Sequence, residues 1–485
     1  MCQVNGLTSG GKAIFPKLVT FCNGAFAVHD DPLTAAGAAL TYVGVVDPPI
    51  AGSYPVIWPY KPDGTGGLAF AYASGAEVPL FLYANSGGST ARRIDDAGIP
   101  TDTGWPAPTG TPPDDPICLC IWADRLVVSD GENFYMSRAH IHNDWDYAQS
   151  DDGGAIAGNL LTGATIGDGI VALVPANDDT LYVFCHRSIF RFIGNPRAGG
   201  RLENVSRNVG IIGSAAWSYD PIGGVWFCDS RGLWYLTPGG SIQPIGRERI
   251  RSAYDGINPT DYRVSVVWHE PWRSCFVFLT RKSTGSSNHV QYYPMGEKEW
   301  FGVNAFNNNN IGPLSAISFK SAANSAKDLI LLGGRDSNVY YYDLKAVQDA
   351  GTDFTSYAYI GPYEMAGPGQ TAMIHSLDVV LGETPGGLPV GADWQMRAVM
   401  TVASDAYSGI IGAMAEQTLT FDLYTAFGIQ DRQPCAIASQ IAWLRIDNLN
   451  ADGSLTGGNN HKKFWAVERM YFRASAGGEQ HGHNT

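Results

Sequence analysis

Two histidines and an aspartate crowd one short stretch, SRAHIHNDWDYA, where His140 and His142 precede Asp144. On a strand face this spacing offers imidazole and carboxylate donors to a transition metal. The same residues equally make a polar loop after a strand, and a lone H-x-H does not outweigh that plainer reading. Cys118 and Cys120 form a C-x-C inside an apolar run. Alternation along a strand puts both thiols on one face, which is read as reduced core packing over a metal or disulfide pair. His481 and His483 fall in the terminal GGEQHGHNT and are assigned no role.

Carbohydrate chemistry leaves fainter traces. SYDPIGGVW, Ser218 to Trp226, is one residue off the S-x-D-x-G-x-T-W turn that braces sialidase-like propellers. A single mismatched copy is treated as chance. Glycoside hydrolysis needs two carboxylates at a set separation, and the acids here are scattered through turns. WYLTPGG could stack sugars or bases, but aromatics at strand spacing are first of all core. The run Asn307 to Asn310 reads as an exposed loop. No phosphate-binding loop, dinucleotide fingerprint, nucleophile elbow or H-E-x-x-H is present. No catalytic, cofactor-binding or metal residue is assigned, and the chain is read as a non-enzyme.

The elements that would carry such residues are strands. Charged residues are only 16% of the 485, against about a quarter in ordinary domains, while Gly 58, Pro 28, Tyr 23, Phe 20 and Trp 13 are high. Turn formers and aromatics in this proportion specify many short strands, not long amphipathic helices. The net charge is −14, and no basic stripe that would grip nucleic acid by displacing counterions is visible. This charge permits solubility alone, or a surface along which DNA slides. Eight scattered cysteines suit folding in a reducing cytoplasm. No secretory leader is expected at the start, and the weakly polar run Ala35 to Val46 is too short and Gly-rich to span a bilayer.

Apolar runs followed by a polar turn and an aromatic run recur along the chain. The aromatics after each turn are Phe134, Phe190, Trp234, Tyr292 and Tyr340, at gaps of 56, 44, 58 and 48 residues. The turns read SDGEN, CHRS, DSRG, GSSNH and GRDSN. Four short antiparallel strands with turns need ~40–50 residues, the size of a propeller blade. The longer gaps are attributed to insertions at Arg201 to Asn208 and Ser283 to Asn288. Alternation in LYVFCHRSIFRF makes Tyr182, Phe184 and Ile189 core candidates. Lys17 to Asp31 reads as strand, NG turn, strand, and Gly67 to Asp95 reads similarly. The expectation is all-β: a β-propeller of about five to seven blades over residues 1–350, with Asp95 to Pro116 as a long surface loop. A β sandwich or platform follows over 351–476, from longer alternating segments such as WQMRAVMTVAS, and then a mobile tail over 477–485. Only Asp343 to Gly351 looks helical.

The stretch DRLVVSDGENFYMSRAHIHNDWDYA, Asp124 to Ala148, resembles a recurring passage of phage tail nozzle proteins, the tail tubular protein B or tail hub group of short-tailed phages. The matching positions are Arg125, Leu126, Tyr135, Ser137, Asp144 and Trp145. The acidic SDDGGAIAGN, then IVALVPANDDTLYVF, HRSIFRFIG, SRNVGIIGSAAW and VWFCDSRGLWYL follow in the family's order. The match runs from Asp124 to Leu236, under a quarter of the chain. The Gly/Ala-rich N-terminal region departs from it, and the C-terminal third shares only its β character.

This resemblance implies a virion tail protein assembled in the host cytoplasm, a homohexameric ring below the portal and adaptor rings. Propellers would lie outside and a β platform would line a channel of acidic or neutral side chains. Genomic DNA would pass without specific binding, and no membrane span is implied. Tail fibre or tailspike would attach at the side, and a needle or plug would close the tip. A carbohydrate- or receptor-binding propeller and a propeller glycosidase are the rival expectations.

Overall fold

The computed structural model describes residues 109–114, 116–158, 168–245, 251–293, 304–306, 308–321, 328–343 and 348–353, together with separate strands elsewhere, for most of which only backbone is described. Two compact units divide the chain, Met1–Asp343 and Leu344–Thr485. Among the described residues no helix is long and apolar enough to cross a membrane.

Among the described residues the first unit holds seven small antiparallel sheets in chain order. The first sheet holds Cys2–Val4, Lys17–Cys22, Ala25–Asp30 and Thr41–Val43, and the second Val56–Pro59, Pro79–Ala84 and Arg92–Asp95. The third holds Cys118–Trp122, Arg125–Ser129, Phe134–Met136 and Ile156–Ala157. The fourth is Ile170–Asn177, Thr180–Cys185, Ile189–Ile193 and Arg201–Ser206, and the fifth is Trp217–Tyr219, Val225–Asp229, Gly232–Leu236 and Ile242–Ile245. The sixth is Tyr262–His269, Ser274–Arg281, Ser287–Tyr293 and Glu299–Trp300, with Asn304–Ala305 paired to its third strand. Ser315–Lys320, Asp328–Gly333 and Val339–Tyr342 complete the seventh.

Burial explains why these sheets pack radially. Every residue of Arg125–Ser129 and of Val225–Asp229 is buried. Such strands have a neighbouring sheet on both faces, so they lack the alternation of a half-exposed strand. The two faces go to different cores. Val127 packs with Cys118, Cys120, Phe190 and Phe192, whereas Leu126 and Val128 pack with Leu119 and Trp145. In the sixth sheet Cys275, Val277 and Leu279 join Val225 and Phe227, while Phe276 and Phe278 meet Ile330 and Leu332 of the seventh. Each such fully buried phenylalanine is worth ~2–3 kcal/mol. The ring closes where Leu18 of the first sheet packs on Phe319 and Leu331 of the seventh. The protein is thus nearly all-β, with a β-propeller and an additional β unit.

The repeat markers occupy one structural position. Phe134, Phe190, Trp234, Tyr292 and Tyr340 all lie on the third strand of their sheets. Tyr182, Phe184 and Ile189 are buried together in one core. Lys17–Cys22 pairs with Ala25–Asp30 so that Cys22 faces Ala25, and the intervening Asn23 and Gly24 lie outside the described residues.

Several expectations are corrected. The presumed insertion at Arg201 to Asn208 is mostly the fourth strand, Arg201–Ser206, paired to Ile189–Ile193. Its polarity comes from its edge position, where Glu203 binds Arg191 at 2.8 Å and Arg201 at 2.7 Å. Likewise Ser287 and Asn288 begin a strand. The presumed helix at Asp343 to Gly351 is replaced, where described, by a hairpin of Gln348–Asp349 and Thr352–Asp353. Its turn residues Ala350 and Gly351 have φ of 47° and 83°, outside any right-handed helix. Among the described residues the α-helix that forms, Arg251–Tyr254, spans four residues. The Asp95 to Pro116 loop contains a short strand, Thr109–Gly110, paired in parallel with Asp144–Trp145.

In the second unit Tyr357–Glu364, Ile441–Asp447, Gln395–Ala403 and Gln417–Tyr424 form one antiparallel sheet. Gln430–Ser439, Gln370–Leu381 and Val467–Glu479 form another. Asp378 is fully buried on the central strand of the latter and accepts from Arg473 Nε at 2.6 Å. Residues 480–485, including His481 and His483, lie outside the described residues.

Candidate functional site

In an up-and-down sheet, the turn between the second and third strands lies on the same face as the segment that enters the next sheet. Hydrogen bonds stitch these pieces together. Ile170 N donates to Gly131 O at 2.7 Å, His186 N to Gly169 O at 3.0 Å, Ile211 N to Cys185 O at 2.9 Å and Ile212 N to Cys228 O at 3.0 Å. On this face a cleft of about 1180 Å³ opens over the fourth and fifth sheets and the segment entering the sixth. Its floor includes the buried Ile211, Ile212 and Ile257.

The cleft's polar lining comes from short, separate segments. His186, Arg187 and Ser188 form the turn of the fourth sheet, Asn204 and Arg207 follow from its outer strand, and Ser230 sits in the turn of the fifth. Asp168 anchors one wall. Its Oδ2 accepts from Arg187 N at 2.7 Å and Ser188 Oγ at 2.9 Å, which fixes the turn and leaves the Arg187 side chain exposed. Gly210 lets the 207–212 segment lie against that turn. A Cβ there would stand 2.4 Å from Cys185 O and His186 O. Behind the rim, Asp229 holds Arg231 through Nε at 2.9 Å and Nη2 at 2.6 Å. Arg231 also donates to Asn208 O. That guanidinium is committed to structure.

The residues singled out in the sequence do not gather here. His142 Nε2 lies 3.2 Å from Asp124 O, and His140 Nδ1 lies 3.8 Å from Asp124 Oδ2. Asp144 is turned into its own loop, accepting from Asp146 N at 3.0 Å and Gln149 Nε2 at 3.2 Å. Among the described residues no three potential ligands cluster around a metal position. Cys118 and Cys120 are buried free thiols in one core, and burial pushes Cys118 up to about 12. Asn308 caps Asn310 N at 3.0 Å in a turn, while Asn307 lies outside the described residues. In WYLTPGG, Trp234 is buried and carries Arg231 over its ring at 5.3 Å.

SYDPIGGVW proves to be a brace. Asp220 Oδ1 accepts from Ile222 N at 3.1 Å and Gly224 N at 2.7 Å, while Oδ2 accepts from Tyr235 Oη at 2.8 Å and Trp226 Nε1 at 3.3 Å. The cleft itself was missed from sequence. Its one local signal is the Asn208-Val209-Gly210 run before an isoleucine pair, where a glycine marks close backbone approach.

No family model matches the chain, and no curated protein matches it. Solved structures do. Virginiamycin B lyase from Staphylococcus aureus aligns with 70% of this chain and 92% of its own at 10% identity and a TM-score of 0.39. The extracellular domain of a putative one-component system from B. thetaiotaomicron aligns with 81% of this chain and 44% of its own, at 12% identity and a TM-score of 0.38. A glycoside hydrolase aligns with 81% of this chain and 94% of its own, at 10% identity and a TM-score of 0.22. These distant likenesses assign no activity, and nothing in them is specific to phage tails.

Proposed function

We propose that this protein is a structural subunit of the tail nozzle of a short-tailed phage, working by assembly and not by catalysis. The observation that carries the reading is what the resembling residues do. Arg125, Leu126, Ser137, Asp144 and Trp145 are all buried, and they brace one sheet. Arg125 donates to the carbonyls of Ser137 and Gly154 at 2.8 and 2.7 Å and to Asp152 O at 2.9 Å. Leu126 N donates to Ser137 Oγ at 2.9 Å, and Arg138 N to Asp144 O at 2.9 Å. A pattern made of such residues tracks an architectural unit. Its recurrence in order, together with an acidic chain, supports a protein that works by shape.

In this reading six copies form the ring, with an adaptor ring above it, fibres or spikes at the side and a needle or plug at the tip. A closed cyclic assembly needs rigid, complementary surfaces, and a lumen without cationic grip lets DNA slide. Negative-stain microscopy of the purified full chain is expected to give sixfold rings, alone or with the adaptor protein. Replacing lumen acids by lysine is expected to slow genome ejection. A persistent monomer that neither forms rings nor binds the adaptor would overturn the reading. The cleft favours a second reading, a ligand-binding propeller, because its exposed polar groups are not committed to holding the fold.

A further inference from the structure

We propose that the cleft over the fourth and fifth sheets binds an acidic oligosaccharide, with Arg187 and Arg207 receiving its carboxylate. The inference is independent of ring assembly. Five exposed polar side chains line this cleft: His186, Arg187, Asn204, Arg207 and Ser230. Among the described residues, none of the five has a hydrogen-bond or ion-pair partner for its side chain. The contrast with nearby arginines is direct. Arg231 is held by Asp229, Arg191 by Glu203, and Arg197 donates to the carbonyls of Tyr147 and Ala155.

Charge narrows the ligand. The chain carries 46 acidic and 32 basic side chains, yet among the described residues lining this cleft two guanidinium groups and an imidazole accompany a single carboxylate, Asp168. That carboxylate already accepts two hydrogen bonds from the turn it anchors. A locally cationic recess in an acidic protein focuses anions, and a guanidinium fork matches a carboxylate in two parallel bonds.

The remaining lining argues for a polyol body. Asn204, Ser230 and His186 each offer donor and acceptor capacity, as sugar hydroxyls require. The isoleucine floor is buried core, with Ile211 at 1% and Ile257 at 6% exposure, and adds an apolar base beneath these polar groups. At about 1180 Å³ the space exceeds that of a single sugar and suits a short oligosaccharide. The recess is preformed, because its walls are joined backbone to backbone through Gly169, Cys185, Ile211 and Cys228.

The test is calorimetric titration of the purified full chain with trigalacturonate and with sialyllactose, using lactose and inorganic phosphate for comparison. Saturable binding of at least one acidic saccharide is expected, weakened by added salt and at least tenfold tighter than lactose. Arg187→Ala and Arg207→Ala are each expected to weaken it at least tenfold. Among the described residues both side chains are exposed and unpartnered, so thermal melts should match the parent protein. Arg201→Ala, on the outer strand away from the cleft lining, should leave binding unchanged. Equal affinity for lactose, binding of phosphate alone, no saturable binding of either acidic saccharide, or indifference to both cleft substitutions would overturn the proposal. Ring assembly, scored by microscopy on the same variants, is expected to be unaffected, which separates this site from the nozzle reading.

Discussion

The guanidinium of Arg125 donates to the carbonyl of Ser137 at 2.8 Å, while Ser137 N donates to Leu126 O and Ser137 Oγ accepts from Leu126 N, at 2.9 Å each. One charged side chain thus ties the second strand of the third sheet to the end of its third strand and to the loop at Gly154. Burial, then repulsion from Arg197 and Arg138, lowers the Arg125 pKa to about 10. The group remains charged at neutral pH. Arg125→Ala is expected to cost ~3 kcal/mol, because it strands several buried carbonyls. Arg125→Lys should recover part of this, since an ammonium lacks the planar fork. Urea denaturation measures both; a loss below ~0.5 kcal/mol for the alanine variant, the ordinary surface range, would refute the brace.

How much could be read in advance follows from which residues face what. Phe134, Phe190, Trp234 and Tyr292 announce their sheets because a third strand must fill space beside a polar turn, and all four are buried. The fourth strand was unreadable where none of its residues is buried, as in RLENVS, whose charges pair with each other. Asp220 was visible as a near-miss motif, and three of its four bonds stay within that stretch, but the fourth comes from Tyr235, fifteen positions away in sequence. The cleft was invisible because Asp168, His186, Arg207 and Ser230 become neighbours only when two sheets pack side by side. Periodicity records what a strand buries; it carries no record of which turns converge.

His289 sits between the sixth and seventh sheets, its ring 4.7 Å from that of Phe306 and its Nε2 2.9 Å from Tyr342 Oη. Burial lowers its pKa from 6.5 to about 4, and His269 is shifted in the same direction. The unfolded chain therefore takes up protons before the folded one does. Stability is complete above pH 6.5, falls as the pH drops toward about 4, and then levels off for this group. By pH 5 the loss from His289 is ~2 kcal/mol. His289→Gln, which keeps a hydrogen bond available to Tyr342, should flatten the slope in urea melts at pH 7 and pH 5. An unchanged slope would place the acid sensitivity elsewhere.

Asp220→Ala removes an acceptor shared by two backbone N–H groups, the Trp226 indole and the Tyr235 hydroxyl. The phenol's pKa is pushed up by burial and then by that hydrogen bond. The expected loss is ~2 kcal/mol. Because Trp226 stacks on Trp268 at 5.7 Å, native tryptophan emission should shift as well. Asp220→Asn keeps an acceptor for the turn and should retain more stability than alanine. If both variants melt like the parent protein with unaltered emission, the turn does not depend on this carboxylate.

Gly210 and Gly213 lie three residues apart and should respond oppositely to the same methyl group. At Gly210 the new Cβ would meet Cys185 O and His186 O at 2.4 Å, and these are backbone atoms that cannot rotate away. Accommodation requires the 207–212 segment to lift, which lengthens the 2.9 Å bond from Ile211 N to Cys185 O and spreads the cleft wall. Gly210→Ala is expected to cost ~2–3 kcal/mol and to weaken acidic-saccharide binding with both arginines in place. At Gly213 nothing lies within 4 Å and φ is not positive, so alanine is free to enter. Gly213→Ala should be neutral or slightly stabilising, because it restricts the unfolded chain. Paired urea melts and titrations of the two variants decide the matter: equal stability would mean that close approach at Gly210 does not shape the wall.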